Sequence, residues 1–383
     1  MRPFAFSTAG TIRFGRGVAQ DAAAVAAGFS TSVLVLHGRT PARAGWLLDD
    51  LRRRGAEVLA IACPGEPDLT LVEDALAAAR PAAPGVVVAV GGGAAIDLGK
   101  ALAALIPNPA GPLAYLEVVG EGRALDVAPL PVIAVPTTAG TGSEVTKNAV
   151  IGVPAHRRKV SLRDPRMIPR IALVDPALTD GTPAGVTFAS GLDAVTQAIE
   201  PYVSTVANPL TDALCRDAIP RGLAALVRLS AAEDPAARDD IALASLCGGI
   251  ALANAGLGAV HGLAAVIGGR TRAPHGAICA ALLPHVLTAN AAAVPPDSAA
   301  AARLQDVRAW IAAALSVPPA GALETLASWS RHVGIPRIAD MAIDEADIPA
   351  IGSEARSASS SRANPVPPQA FDFESVLRSS LTK

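Results

Sequence analysis

Short runs built only of apolar residues recur through the first half of this 383-residue chain, separated by stretches of helical periodicity, and they stop after Thr182. Val33–Leu36, Val58–Ala62, Val86–Val90, Val132–Val135 and Ile171–Val174 lack the polar alternation of a strand with one wet face. Strands of that kind must be covered on both sides. The amphipathic patterns over Trp46–Arg54, Leu71–Arg80 and Ile96–Leu105 supply the cover, so the spacing predicts an open parallel sheet with helices on both faces. Beyond Thr182 the helical pattern takes over, at Thr187–Val203, Leu210–Leu226, Ala236–Asn254 and Arg303–Leu315. A chain of this length exceeds the roughly 250–300 residues that one core can serve. We therefore expect a Rossmann-like α/β domain over 1–181 and a helical domain over 182–383. Ala355–Pro368, rich in Ser, Pro and Ala, reads as an exposed loop before a last helix near Glu374–Leu381.

Charge and cysteines narrow the setting. The formal charge is −2 with no basic block, which argues against nucleic acid as the main partner. Between Asp240 and Arg270 no residue carries a formal charge, yet Asn254, His261 and repeated glycines fit buried helices better than a membrane span. Met1-Arg2-Pro3-Phe4 leads into polar residues, not an apolar signal segment. Cys63, Cys215, Cys247 and Cys279 are widely spaced without a CxxC pair and read as buried free thiols in a reducing cytoplasm.

Four regions carry chemistry. Gly91-Gly92-Gly93-Ala94 follows a strand and opens a helix that contains Asp97, a place where backbone N–H groups and the helix terminus can hold a pyrophosphate. This is not the usual GxGxxG, and it follows the third strand, not the first. Thr137, Thr138, Thr141 and Ser143 crowd the loop after a later strand, at the carboxyl end where open α/β sheets bind ligands. His37-Gly38-Arg39 closes the first strand without a carboxylate for an adenosine ribose, and Arg39 suits a 2′-phosphate, so NADP is accommodated beside NAD. In the second half, Asp193 and Gln197 share a helix face, and His261 and His275 follow. An Asp, an amide and two imidazoles suit a divalent cation such as zinc or ferrous iron, with Gln197 the weak member.

These segments occur together in a known order. GGGAAID, PTTAGTGSEVT, KVSLRDP, ALVDPALT, GLDAVTQAIEPYVS, GAVHG and APHG succeed one another, and the chain resembles the iron-containing (group III) alcohol dehydrogenases from Phe14 to Pro367. The resemblance implies the dehydroquinate synthase-like architecture, a cytoplasmic homodimer joined through an edge strand near the N-terminus, and nicotinamide-dependent chemistry on a small alcohol, aldehyde or ketone. By motif match, Gly92, Gly93 and Asp97 lie near the pyrophosphate, Thr137, Thr138 and Ser143 along the cofactor, and Lys159 beside the nicotinamide ribose. Asp193, His261 and His275 fall on three of the family's four metal positions.

Two departures bear on activity. Gln197 stands where the family usually has a second histidine ligand, and Ala265 stands where many members carry a histidine near the substrate. Three protein ligands suffice for a catalytic zinc. Gln197 then coordinates weakly, bonds the bound water, or leaves a metal-free polar pocket, and an amide in place of imidazole should tilt the site toward harder cations. The expected activity is hydride transfer with the carbonyl polarised by the metal, Asp193, His261, His275, Gln197 and Lys159 being the catalytic set. One alternative is metal-independent reduction of an anionic enol or keto acid, resembling maleylacetate reductases. Their motif tends to have Asn where this chain keeps Asp193, and Arg270 or Arg272 would clamp the carboxylate. A non-catalytic dinucleotide-binding protein is the third reading.

Overall fold

The computed structural model describes residues 3–271 and 273–382. Two compact units emerge: one of residues 8–138 and 143–179, the other of the segment up to Ser7, Ala139–Gly142 and everything from Asp180 onward.

The first unit is built on eight strands: β1 (Thr11–Phe14), β2 (Ser32–Gly38), β3 (Glu57–Cys63), β4 (Val86–Gly91), β5 (Val132–Pro136), β6 (Asn148–Val153), β7 (Arg158–Arg163) and β8 (Ile171–Val174). Six form one parallel sheet in the order β1-β8-β5-β4-β2-β3. The apolar runs of β2, β4, β5 and β8 fill its centre because both faces are covered, and every residue of β4 is buried; the run on β3 lies at the sheet's edge and stays exposed or half-buried, against the cover its apolar pattern predicts. Alternate residues serve opposite sides. Leu34, Leu36, Val87 and Ala89 pack with Ile96, Leu98 and Leu102 of the helix Gly93–Leu105. Val33, Val35, Val86, Val88 and Val90 face the helices Ala22–Ala27 and Gly45–Arg53. Gly99 lets the first helix close on the sheet, since a Cβ there would sit 2.9 Å from that of Ala89.

Three strands lie outside the apolar runs named above. β1 is largely exposed and pairs only along β8, at the sheet's edge. β6 and β7 form a separate antiparallel hairpin turned through Arg157, whose φ is 50°. Polar residues break the apolar pattern in β1 and β7, whereas β6 is apolar from Ala149 to Val153 apart from Gly152.

The second unit is helical. Its centre is the helix Ala184–Val203, in which every residue from Gly191 to Val203 is buried. Pro209–Ala231, Pro235–Ala255 and His275–Ala293 pack on it. Polar caps start two of these helices: Asn208 and Thr211 close a capping box ahead of Pro209, and Asp234 caps Ala236 and Ala237. The charge-free segment is two helices, Pro235–Ala255 and Ala259–Arg270, bent 99° across a break at Gly256, whose φ is 67°. Among the described residues one helix, His275–Ala293, is long and apolar enough to cross a membrane, and over half of it is buried within the unit.

The exposed loop expected at Ala355–Pro368 is not what forms. The helix Ile348–Ser357 takes its first part, and Ser361 and Asn364 are buried. Their polarity is consumed internally: Ser361 Oγ donates to the Ala355 carbonyl, while Asn364 donates to Asn290 Oδ1 and accepts from the Ala259 N–H. Polar residues signal exposure only when the fold offers them no partner.

Candidate functional site

The helix Ala184–Val203 presents Asp193, Gln197 and Glu200 along one face, spaced four and then three residues apart. The bend at Gly256 starts a new helix whose third residue is His261, and His275 opens the helix after that. The structure brings Asp193, His261 and His275 together, and adds Cys279 from one turn beyond His275. One potential ligand atom from each of these four lies within 4.8 Å of the others.

Glu200 sets the chemistry of His261. Its Oε2 lies 2.6 Å from His261 Nδ1, and its Oε1 accepts from the Val260 N–H at 2.7 Å. A carboxylate at Nδ1 fixes the proton there and leaves the Nε2 lone pair facing Asp193 Oδ1 at 3.4 Å. Neither Nε2 nor Oδ1 makes a hydrogen bond, although both are buried. An orphaned carboxylate oxygen opposite an orphaned imidazole nitrogen is costly unless a cation or a proton sits between them. Without a cation the proton fills that role. Burial works against an imidazolium, yet the facing Cys279, Glu200 and Asp193 raise the pKa of His261 well above its usual value. Burial likewise disfavours the Asp193 carboxylate, but His275 and His261 hold its pKa below the ordinary range. Burial pushes the Cys279 thiol up to about 12. The donor set fits a divalent metal of the zinc or iron type.

Close helix contacts hold the cluster. A Cβ on Gly276 would lie 2.4 Å from the Ala189 carbonyl oxygen and 3.3 Å from Asp193 Cβ. One on Gly258 would lie 2.9 Å from Glu200 Oε1. Gln197 is buried with the cluster, but its Nε2 reaches the Gly140 carbonyl at 3.4 Å. Arg270 is paired with Glu354 at 2.6 Å, so its charge is already matched; Arg272 lies outside the described residues. Ala265, one turn after His261, offers no proton-carrying group.

In the α/β unit, Gly92 caps the helix Gly93–Leu105 without a side chain, so the first N–H groups at Gly93 and Ala94 have no capping oxygen of their own. Thr138 packs over Gly92, where a Cβ would lie 3.2 Å from its Oγ1, and the Thr137 N–H donates to the Gly91 carbonyl. Thr141 lies in Ala139–Gly142, the segment grouped with the helical unit. Gly38 has open space where a Cβ would project, and the Arg39 guanidinium donates to the Pro64 carbonyl at 2.9 and 3.0 Å.

Asp97 and Ser143 turn inward. Ser143 Oγ donates to Asp97, whose other oxygen accepts from the Val150 N–H. The fully buried Lys100 donates to the Ser143 carbonyl, lies 3.1 Å from Asp97, and reaches Thr146. These two residues brace the loop, and a carboxylate would in any case repel a phosphate. Lys159, on β7, is ion-paired with Glu66.

The sequence motifs do not mark Glu200 or Cys279 as site residues, and Cys279 reads there only as a buried thiol. Both were within reach, since Glu200 continues the Asp193–Gln197 face and Cys279 follows His275 at helical spacing.

A family model described as iron-containing alcohol dehydrogenase matches residues 9–176, and the C-terminal model of the Fe-containing family matches 187–381. The chain is 36% identical over 294 residues to a lactaldehyde reductase of Escherichia coli, covering 76% of this chain and 75% of the relative. It is 35% identical over 319 residues to a 1,3-propanediol dehydrogenase of Klebsiella pneumoniae, covering 82% and 81%. Among solved structures, that of a 1,3-propanediol oxidoreductase superposes with a TM-score of 0.87 at 29% identity, over 99% of this chain and all of that one.

Proposed function

Because the chain belongs to the iron-containing alcohol dehydrogenase family, and so is an alcohol dehydrogenase or carbonyl reductase, we propose that it interconverts a small alcohol and its aldehyde or ketone with NAD or NADP and a divalent metal. The observation that carries the metal reading is the pair of buried, unpartnered atoms, Asp193 Oδ1 and His261 Nε2, facing each other across 3.4 Å. Asp193, His261 and His275 hold the cation, which supplies Lewis acidity toward a carbonyl oxygen. Hydride chemistry would come from the nicotinamide that the α/β residues below would hold.

The remaining work belongs to the chain. Glu200 keeps the proton on His261 Nδ1 and so keeps Nε2 available. The N–H groups at Gly93 and Ala94 receive the pyrophosphate, with Gly92 admitting it closely. Thr137, Thr138 and Thr141 line the cofactor; Asp97, Lys100 and Ser143 hold the loop in shape. Gly38 and Arg39 receive the adenosine end, where the arginine tolerates a 2′-phosphate. Lys159 keeps a charge near the ribose, balanced by Glu66. With Ala265 in place of a proton carrier, proton exchange at the substrate oxygen falls to water. We assign the α/β unit to the dinucleotide and the helical unit to metal and substrate, in a homodimer. The anionic-substrate alternative draws no support from Arg270, which is matched by Glu354.

The relatives' names direct the first substrate panel to short hydroxyaldehydes and diols. NADH and NADPH oxidation with the hydroxyaldehydes, and NAD and NADP reduction with the diols, should be followed for the native chain and for Asp193→Ala. The variant should lose turnover while still binding the dinucleotide, read by nicotinamide fluorescence. Unchanged turnover in Asp193→Ala would sink the metal role.

A further inference from the structure

We propose that Cys279 supplies a fourth, thiolate ligand, so that the metal centre is an Asp–His–His–Cys site selecting zinc-type ions over magnesium and manganese. The inference rests on the metal reading above but goes beyond it. In the sequence Gln197 occupies the second-ligand place; in the fold its amide nitrogen is turned to the Gly140 carbonyl, and the sulfur of Cys279 stands among the ligand atoms instead.

Two ligand-to-ligand distances have the spacing of one small cation, and all four ligand atoms lie within 4.8 Å of one another. With metal–nitrogen and metal–oxygen bonds of about 2.0–2.1 Å and metal–sulfur bonds of about 2.3 Å, tetrahedral edges come to about 3.3 Å for N···O and about 3.6 Å for N···S. His261 Nε2 lies 3.4 Å from Asp193 Oδ1, and His275 Nε2 lies 3.6 Å from Cys279 Sγ. Two independent edges thus have ligand spacing. The site is built, since Asp193, His261 and Cys279 are all nearly or fully inaccessible and the Asp193 and His261 atoms are unpartnered. The i, i+4 step from His275 to Cys279 puts both on one helix face, and Gly276 lets that helix press against Asp193. A soft sulfur donor favours zinc, cobalt and similar ions over hard, oxygen-seeking ones. That reverses the tilt toward harder cations expected from Gln197 alone.

The test uses the full-length protein, stripped of metal and loaded with cobalt(II), read for bound cobalt by elemental mass spectrometry and for sulfur-to-cobalt charge transfer by near-ultraviolet absorption. The native chain should hold about one cobalt, as a single centre requires, and show the band. Cys279→Ser should lose the band and weaken zinc binding by at least about tenfold, as loss of even an outer-shell partner does. Cys63→Ser, altered in the other unit, should keep both. Cobalt bound at full occupancy without the band in the native chain overturns the thiolate ligand and leaves the three-ligand centre standing. No retained cobalt overturns the metal reading itself, and this inference with it. The native spectrum decides even if Cys279→Ser does not fold.

Discussion

Replacing Glu200 by Gln tests the centre at the atom that decides which imidazole nitrogen faces the cation. Shape is conserved, and the amide oxygen can still accept from the Val260 N–H, now 2.7 Å from Oε1. The amide nitrogen then faces His261 Nδ1, where a carboxylate oxygen stands at 2.6 Å. An amide donates at that position, so the ring proton moves to Nε2, the atom 3.4 Å from Asp193 that the cation needs bare. The lost charge-assisted hydrogen bond is worth about 1.5–3 kcal/mol. At about 1.4 kcal/mol per factor of ten, that is roughly a 10–100-fold loss of metal affinity. Competition between the stripped protein and a chromophoric zinc chelator measures it, and thermal midpoints of the metal-free forms show that the fold persists. Affinity retained within about threefold of native, a change near 0.6 kcal/mol, would refute the tautomer argument and the assignment of Nε2 as ligand.

Two further outcomes are expected. Gly276→Ala should cost about 1–3 kcal/mol by overpacking, because its Cβ meets the Ala189 carbonyl oxygen at 2.4 Å. It should also weaken zinc binding by moving His275, as chelator competition and denaturant unfolding together would reveal; native values for both would break the packing argument. In the α/β unit, burial pushes the Glu144 carboxyl up to about 7 from its ordinary 4.5, against its own backbone N–H and Lys100. A raised acid is protonated in the folded chain first, so its stabilisation is complete below about pH 4.5 and is lost as pH rises through about 7. The loss amounts to roughly 3 kcal/mol, with Glu144→Gln flattening the slope in urea unfolding across that window; an equal slope in both chains would contradict it.

The sheet and the helices were largely legible because their signals are local. Val86–Val90 is apolar throughout since both faces of β4 are covered, and no longer-range knowledge is needed to read that. β1 and β7 were not legible, since polar residues interrupt their apolar ones; β6 was passed over although Ala149, Val150, Ile151 and Val153 give it the same signal. Ser361 and Asn364 misled for the opposite reason, their polarity being spent on buried partners.

At the candidate metal site the sequence by itself determined the candidate ligands Asp193, His261 and His275, through the residue types that bind such cations and through the motifs around them. It also placed Asp193 and Gln197 on one face, because helical spacing is a property of contiguous residues. The tertiary structure alone decided that Gln197 turns to Gly140, that Glu200 fixes the His261 ring, and that Cys279 stands with the others. Those outcomes depend on the bend at Gly256 and on the close approach that Gly276 permits between two helices. Which atoms end within bonding reach is set by helix crossings between residues far apart in the chain, and periodicity along one helix carries no information about where another crosses it.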